Sequence, residues 1–295
     1  MSNKGIWLPQ KGLDNTGGFV TGRPTYGNGY SFEPSLDFRL QHAIDEIKDT
    51  YGDTVLVKPK SLSKFGQNEL VGTDWATLMT LPAGTDNETY ATSNSITHIS
   101  SSDTGDDQVI RAEGHYFNGD GDLVFHVQFP TVNGQNKVQL DQPLARFTRI
   151  RNNGATDFAG NIYGFEDDTL SSGVPTTDAK VHIIAQSGDR NTSFKASTTV
   201  SYQDYWLITS LRLGVDKKTS ASVDVELQVR NLGGVFISLF EIPVNTTGTN
   251  AIPIPLDPVV IVPKNSDVRL RARASTTAVS VSGRMAGYLA LVQNG

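Results

Sequence analysis

The segment Ala221-Ser-Val-Asp-Val-Glu-Leu-Gln-Val-Arg230 alternates apolar and polar side chains without a break. Successive side chains of a β-strand point to opposite faces, so this period of two is typical of a strand with one buried and one solvated face. Less regular runs of the same kind follow one another from about Val71 to the C-terminus, separated by turns rich in Gly, Asn, Asp and Pro. The pattern predicts an all-β protein built from many short antiparallel strands.

The composition favours the same fold class. Of the 295 residues, 37% are hydrophobic, 19% are charged and 28 are glycines, which suits short strands joined by tight turns rather than a helical bundle. The chain contains no cysteine, so disulfides, Cys-ligated metals and thiol nucleophiles are excluded. The net charge of −6 gives no general attraction to nucleic acid, and nucleic acid is therefore not an expected partner.

No targeting or membrane segment is predicted. The first ten residues lack the apolar region of a secretory signal, and apolar runs such as Val259–Val262 are too short to span a bilayer. We therefore expect the protein to be made and folded in the cytoplasm, without a membrane partner.

Residues 1–70 are predicted to form an extended N-terminal arm with one helix at 35–49. Aromatic side chains are spaced through the irregular first part, so we expect it to become ordered against its own body or a neighbouring subunit. The helix begins at a Pro34-Ser35 cap, and its apolar face packs on a β domain or docks in a partner's groove. The interface candidates are Trp7, Phe19, Tyr26, Tyr30, Phe32, Leu36, Leu40 and Ile44.

Two β domains are predicted beyond the arm. Residues 71–165 form a first β-sandwich or barrel of six or seven strands, two of them joined by a turn at Asn118–Asp122. The polar, acidic stretch 166–179 is predicted to be a linker. Residues 180–295 carry about eight strands, which fits a second, jelly-roll-like sandwich. The expected architecture is two tandem antiparallel β-sandwich domains preceded by an arm with one short helix.

Three stretches of the chain resemble a family of virion structural proteins of tailed bacteriophages, especially marine and environmental ones. They are Lys64–Asn68 with Val71–Thr73, the region Asp106–Phe165, and Ser193–Thr199 followed by Val223–Arg230 and Gly233–Phe236. Together they cover most of residues 64–240, whereas residues 1–60 match nothing in that family. The resemblance implies a non-enzymatic part of the virus particle.

The resemblance does not specify which part; within the particle, we favour a capsid decoration or head-stabilising subunit. Its expected partners are copies of itself, in a homo-oligomer such as a trimer, and the major capsid protein. The alternative in the same class is a neck, tail or fibre-attachment protein with neck or tail partners. A different class is a carbohydrate-binding receptor module, for which Tyr202, Tyr205 and Trp206 are the candidate ligand aromatics.

His115 and His126 are weak candidates for metal ligands. If Asn118–Asp122 is a hairpin loop, the two histidines lie nearly opposite each other across the strands, close enough to share a metal. His98 and Glu113 could add ligands, but the spacing fixes neither of them. Because two ligands do not make a site, solvated or hydrogen-bonded histidines are favoured, and no metal or cofactor is predicted.

Charged residues on two predicted strands can be interpreted in two ways. Arg269, Arg271 and Arg273 share one strand face, and Asp224 and Glu226 share the polar face of another. Cross-strand ion pairs are favoured, and a basic stripe that meets an acidic subunit or nucleic acid is the alternative. No Gly-x-Ser-x-Gly elbow and no positioned carboxylate pair occurs, so no catalytic residue is predicted.

Overall fold

The computed structural model describes residues 36–82, 88–188, 190–216, 221–246, 250–275 and 279–293. These residues contain one α-helix followed by eighteen β-strands, which form two β-sandwiches. The predicted all-β fold class, with one short helix ahead of the strands, is confirmed. No helix in these ranges is long and apolar enough to cross a membrane.

Helix α1 spans Leu36–Tyr51, close to the predicted 35–49. Its buried residues Ala43 and Ile47 lie on one face, with the half-buried Leu40 and Ile44 beside them. The helix ends before Gly52, which has a φ of +75° and donates its N–H to the carbonyl of Lys48, a left-handed stop that glycine adopts readily.

The larger sandwich consists of two sheets with one shared core. Sheet 1 has the strand order β1 (Val55–Val71), β18 (Val279–Val292), β13 (Asp204–Asp216) and β16 (Asn250–Val262). Sheet 2 has the order β12 (Ser197–Val200), β17 (Ser266–Ala274), β14 (Ala221–Asn231) and β15 (Ile237–Thr246), and the short β2 (Ala76–Thr77) also pairs with β17.

Strand β14 shows how the sequence pattern places its side chains. Val223, Val225 and Leu227 enter the core between the sheets, whereas Asp224 lies on the outer face. The core is closed by large buried side chains such as Trp206. On the far side of sheet 1, helix α1 covers a second apolar layer that includes Tyr205 and Leu207. Helix α1 therefore buries part of the outer face of sheet 1.

The larger sandwich has jelly-roll topology. Counted along the chain, its first, eighth, third and sixth main strands form sheet 1, and its second, seventh, fourth and fifth form sheet 2. This order is produced by two Greek keys wrapped around one core. Seven of the strands come from the predicted second domain, but the first, β1, comes from residues 55–71, most of which were assigned to the arm.

The smaller sandwich is built from the strands between β2 and β12. Sheet 3 has the order β11 (Val181–Ala185), β8 (Ile162–Glu166), β3 (Ile96–Ser101) and β6 (Val138–Leu144). Sheet 4 has the order β5 (Leu123–Gln128), β4 (Ile110–Phe117) and β7 (Arg146–Asn152). Its core includes Ile99, Ile110, Leu144, Phe147 and Ile150. The smaller sandwich is thus inserted between the first two jelly-roll strands, so the two sandwiches are nested rather than consecutive.

The stretch 166–179, expected to be a linker between domains, connects the paired strands β8 and β11 of the smaller sandwich. It contains the hairpin of β9 (Leu170–Ser171) and β10 (Val174–Pro175), and a short 3-10 helix follows at Asp178–Lys180. Half-buried Leu170 and Val174 pack against Phe165, on the outer face of sheet 3. Gly173, with a φ of +77°, lies in the turn of this hairpin, whereas Pro175 lies in β10. The next strand, β11, pairs with β8 of the same sandwich.

Candidate functional site

A buried ion-pair network joins the two sandwiches at Asp267. This carboxylate, at the start of β17, accepts two hydrogen bonds from Arg146 of the inserted sandwich, at 3.0 and 3.1 Å. Arg230 of β14 contributes two more at 3.0 and 2.8 Å, and the Thr199 hydroxyl donates at 2.6 Å. Burial alone raises the pKa of Asp267, but the charge and hydrogen bonds of Arg146 and the charge of Arg230 hold it below its usual value. The carboxylate therefore stays ionised and links the two units.

A second ion pair lies nearby in the same junction. Lys195 and Glu88 are both buried, with their Nζ and Oε1 atoms 2.5 Å apart. Glu88 also accepts hydrogen bonds from Ser197 at 2.6 Å and from the Tyr90 hydroxyl at 2.8 Å. Because each buried charge has an opposite charge and further hydrogen bonds, the junction avoids the penalty of an unpaired buried ion.

A cleft of about 680 Å³ opens beside these contacts. Its lining includes Tyr90, Asn94 and Phe117 together with Arg146 and Arg230. The Arg230 guanidinium carbon lies 4.2 Å from the centre of the Tyr90 ring. The cleft is therefore a concave surface formed jointly by the jelly roll and the insertion.

The outer face of sheet 2 carries the predicted ion pairs. Arg273 Nε lies 3.0 Å from Asp224, and Arg271 Nη1 lies 3.4 Å from Glu226. Arg269 donates to the Gln228 amide at 2.9 Å. Cross-strand pairing, the favoured reading of these arginines, is confirmed.

Strand β15 is an exposed edge of sheet 2. It pairs with β14 on one side and with no described strand on the other. Ile237 and Leu239 of this strand are 62% and 45% exposed, and the preceding Val235 is 79% exposed. A row of exposed aliphatic side chains on an unpaired edge is a surface that another chain can cover.

The β4–β5 register separates the two candidate metal ligands. His115 lies opposite Phe125 and His126 lies opposite Gly114, so the imidazoles point to opposite faces of sheet 4. The expected near-opposite placement is off by one residue, which is enough to reverse the face because the side-chain period is two. Within the described residues no group of three or more His, Asp or Glu side chains is placed to hold a metal.

His115 is buried in the junction, and its Nδ1 atom has no hydrogen-bond partner among the described residues. Burial, reinforced by the nearby Lys64 charge, lowers the pKa of His115 to about 3. An unfolded chain binds a proton on histidine below a pH of about 6.5, whereas the folded protein keeps His115 neutral down to much lower pH. Stability contributed by this residue is therefore complete above that pH and is lost progressively as the pH falls.

When the pH is lowered from 7.5 to 5, we expect His115 alone to reduce the free energy of unfolding by about 2 kcal/mol. Urea unfolding of wild type and His115→Gln at both pH values measures the effect, and the variant should lose that share of the pH dependence. His42→Gln, on the exposed face of α1, is the matched control and should keep it. An unchanged pH dependence in His115→Gln would contradict the assignment.

The candidate ligand aromatics are not a surface cluster. Tyr205 and Trp206 are fully buried, and the Tyr205 hydroxyl donates to Asp53 at 2.6 Å. They occupy the two faces of β13, one under helix α1 and the other in the jelly-roll core. Neither ring is open to a sugar, and only Tyr202, in the turn before β13, is partly exposed.

The arm candidates fall into two groups. Leu40 and Ile44 pack against the protein's own sheet 1, the first of the two placements expected for the helix face. The other interface candidates, Trp7, Phe19, Tyr26, Tyr30, Phe32 and the side chain of Leu36, lie outside the described residues.

The strand order and these surfaces define a class, a jelly-roll β protein with an inserted β-sandwich. No protein-family model and no curated protein matches the chain. Among solved structures, the chain is similar to a chain in the structure of infectious bursal disease virus, Gt strain. The sequence identity is 13%, over 81% of this chain and 74% of that chain, and the TM-score is 0.21.

It is likewise similar to the VP2 subviral particle of infectious bursal disease virus, at 12% identity over 81% of this chain and 73% of that chain, again with a TM-score of 0.21. TM-scores this low support no argument about function. The jelly-roll assignment rests on the strand order of the protein itself.

Proposed function

We propose that the protein is a non-enzymatic structural subunit of a virus particle that assembles with copies of itself. The observation that carries the proposal is the jelly-roll strand order with a second sandwich inserted between its first two strands. Eight-stranded jelly rolls are a common architecture of viral capsid domains, and lectins share it. The lectin alternative loses its main support because Tyr205 and Trp206 are buried.

The family resemblance supports the same role. Three of its motifs, Lys64–Asn68, Leu144–Ile150 and Ser193–Thr199, lie in or next to β1, β7 and β12. These are the strands around the junction where Arg146 and Lys195 are held. The resembling segments thus include those that fasten the insertion to the jelly roll.

Within this role we favour a capsid decoration or head-stabilising subunit. The fold offers two independent surfaces, the β15 edge of the jelly roll and the exposed side of the inserted sandwich, where Phe125 and Phe129 are about half exposed. Such a subunit needs one surface for copies of itself and another for the major capsid protein. A neck, tail or fibre-attachment protein would use the same surfaces, and labelling of intact particles by electron microscopy distinguishes the two locations.

The assembly state of the purified full chain tests the proposal. Sedimentation velocity and negative-stain electron microscopy should show discrete closed oligomers, such as trimers, in equilibrium with single chains. Closed shells formed by this chain alone would support a structural role in the virus particle. They would also show that the protein builds the shell itself and does not decorate it. A single chain at every concentration would contradict self-assembly.

A further inference from the structure

A second pocket, of about 310 Å³, opens between β1, β7 and the segment that leads into β12. Its described lining contains no carboxylate and four cationic side chains, which are Lys64, Arg149, Lys195 and Arg284. The remaining lining residues are Ser63, Thr148, Thr192, Ser193, Phe65 and Phe194. Cations interleaved with hydroxyl groups are the side chains that bind oxyanions in proteins.

Lys64 is the unusual member of this group. The residue is only 9% exposed, yet its ammonium group forms no hydrogen bond or ion pair with any described residue. Burial lowers the pKa of Lys64 to about 8; the nearby Glu113 opposes this shift, and the charges of Arg149 and Lys195 add to it. A lysine this shielded from solvent gains from an ion-pair partner for its ammonium group, and a bound anion would supply one.

The carboxylates nearby compensate Lys64 only in part. Glu113 is held by Arg111 at 2.8 Å and by Arg149 at 3.9 Å. Glu88 is committed to Lys195 at 2.5 Å. Arg284 donates through Nε to the Ser63 hydroxyl at 2.6 Å, a neutral partner. The positive charges around the pocket therefore outnumber the carboxylates that contact them.

We propose that this pocket binds a small oxyanion of the phosphate or sulfate class, with Lys64 at its inner end and the more exposed Arg149 and Arg284 at its mouth. An arginine presents paired donors to such an anion, and a lysine supplies a point charge. The bound anion would connect β1 of the jelly roll with β7 of the insertion. Inorganic phosphate and the phosphate group of a small phosphate ester share this chemistry.

Titration calorimetry of the full chain with sodium phosphate tests the site, with sodium chloride at matched ionic strength as the reference. We expect saturable binding that Lys64→Met weakens about 10- to 100-fold, because one charge-assisted contact is lost. Lys137→Met is the matched control, since Lys137 pairs with Asp167 away from the pocket, and it should bind as wild type does. Sulfate and ribose 5-phosphate are titrated in parallel to identify which source of the anion fits.

Tighter binding of the ester than of phosphate would assign the pocket to a phosphate ester, and the reverse would assign it to the free ion. A phosphate response equal to that of chloride, or wild-type affinity in Lys64→Met, would overturn the proposal. If Lys64→Met does not fold, Arg149→Gln carries the same test, because that side chain is 40% exposed. Failure would leave the virion role untouched, since the β15 edge is a separate surface.

Discussion

Asp267→Ala is expected to lower the free energy of unfolding by about 3–5 kcal/mol, the cost of leaving buried charges unpaired. The substitution removes the acceptor of four arginine hydrogen bonds and one threonine hydrogen bond. Arg146 is buried, and its remaining described contacts, with the carbonyls of Ala91 and Ala145 and the face of the Tyr90 ring, carry no negative charge. The inserted sandwich and the jelly roll should both lose stability, because Arg146 belongs to one and Arg230 to the other.

Chemical denaturation of wild type and variant measures this loss. Asp224→Ala is the matched control: it removes a carboxylate from an exposed pair with Arg273 on the same sheet, and we expect a change below about 1 kcal/mol. Similar small losses in both variants would show that Asp267 does not hold the junction.

Gly66→Ala is expected to destabilise the protein by about 3 kcal/mol, at the upper end of the cost of overpacking. A Cβ atom on Gly66 would lie 2.0 Å from the carbonyl oxygen of Leu78 and 2.1 Å from the nitrogen of Ala196. These two backbone atoms are hydrogen-bonded to each other at 2.8 Å. The methyl group would therefore push apart the segments through which the chain leaves and re-enters the jelly roll.

Gly72→Ala is the control for this prediction. Gly72 follows the same strand, and a Cβ atom there would meet nothing within 4 Å. Chemical denaturation should give Gly72→Ala a free energy of unfolding close to that of wild type, and Gly66→Ala a clearly lower one. Equal stability of the two variants would contradict the nested connection, because only that connection brings Leu78 and Ala196 under β1.

The sequence predicts where strands occur better than it predicts which strands pair. The alternation of apolar and polar side chains identifies β14 and most of its neighbours, because these strands have one buried and one solvated face. It does not identify β1, where Pro59 and a register shift between Val57 and Ser61 interrupt the pattern. Pairing with β18 is a contact across more than two hundred residues, and local periodicity carries no information about it.

The sequence is similarly limited in predicting which surface and junction residues come together in the fold. Arg271 and Glu226 could be paired from the pattern because both lie on polar strand faces. Asp267 looks like an ordinary polar residue at the start of a strand, and only the folded chain brings Arg146 to it. The apolar residues Ile237 and Leu239 resemble core residues in sequence, but the edge position of β15 leaves them exposed.

Of the two surfaces proposed for assembly, we propose that the β15 edge, where Ile237 and Leu239 are exposed, is the one that binds copies of the same chain. Light scattering of the purified full chain measures the mass in solution, and wild type should form a discrete oligomer. Ile237→Lys should reduce it to single chains, since a charge would then lie within the buried contact, whereas Ser238→Lys, at an exposed polar position of the same strand, should leave the oligomer intact. An oligomer of unchanged mass in Ile237→Lys, or single chains in wild type, would contradict the claim.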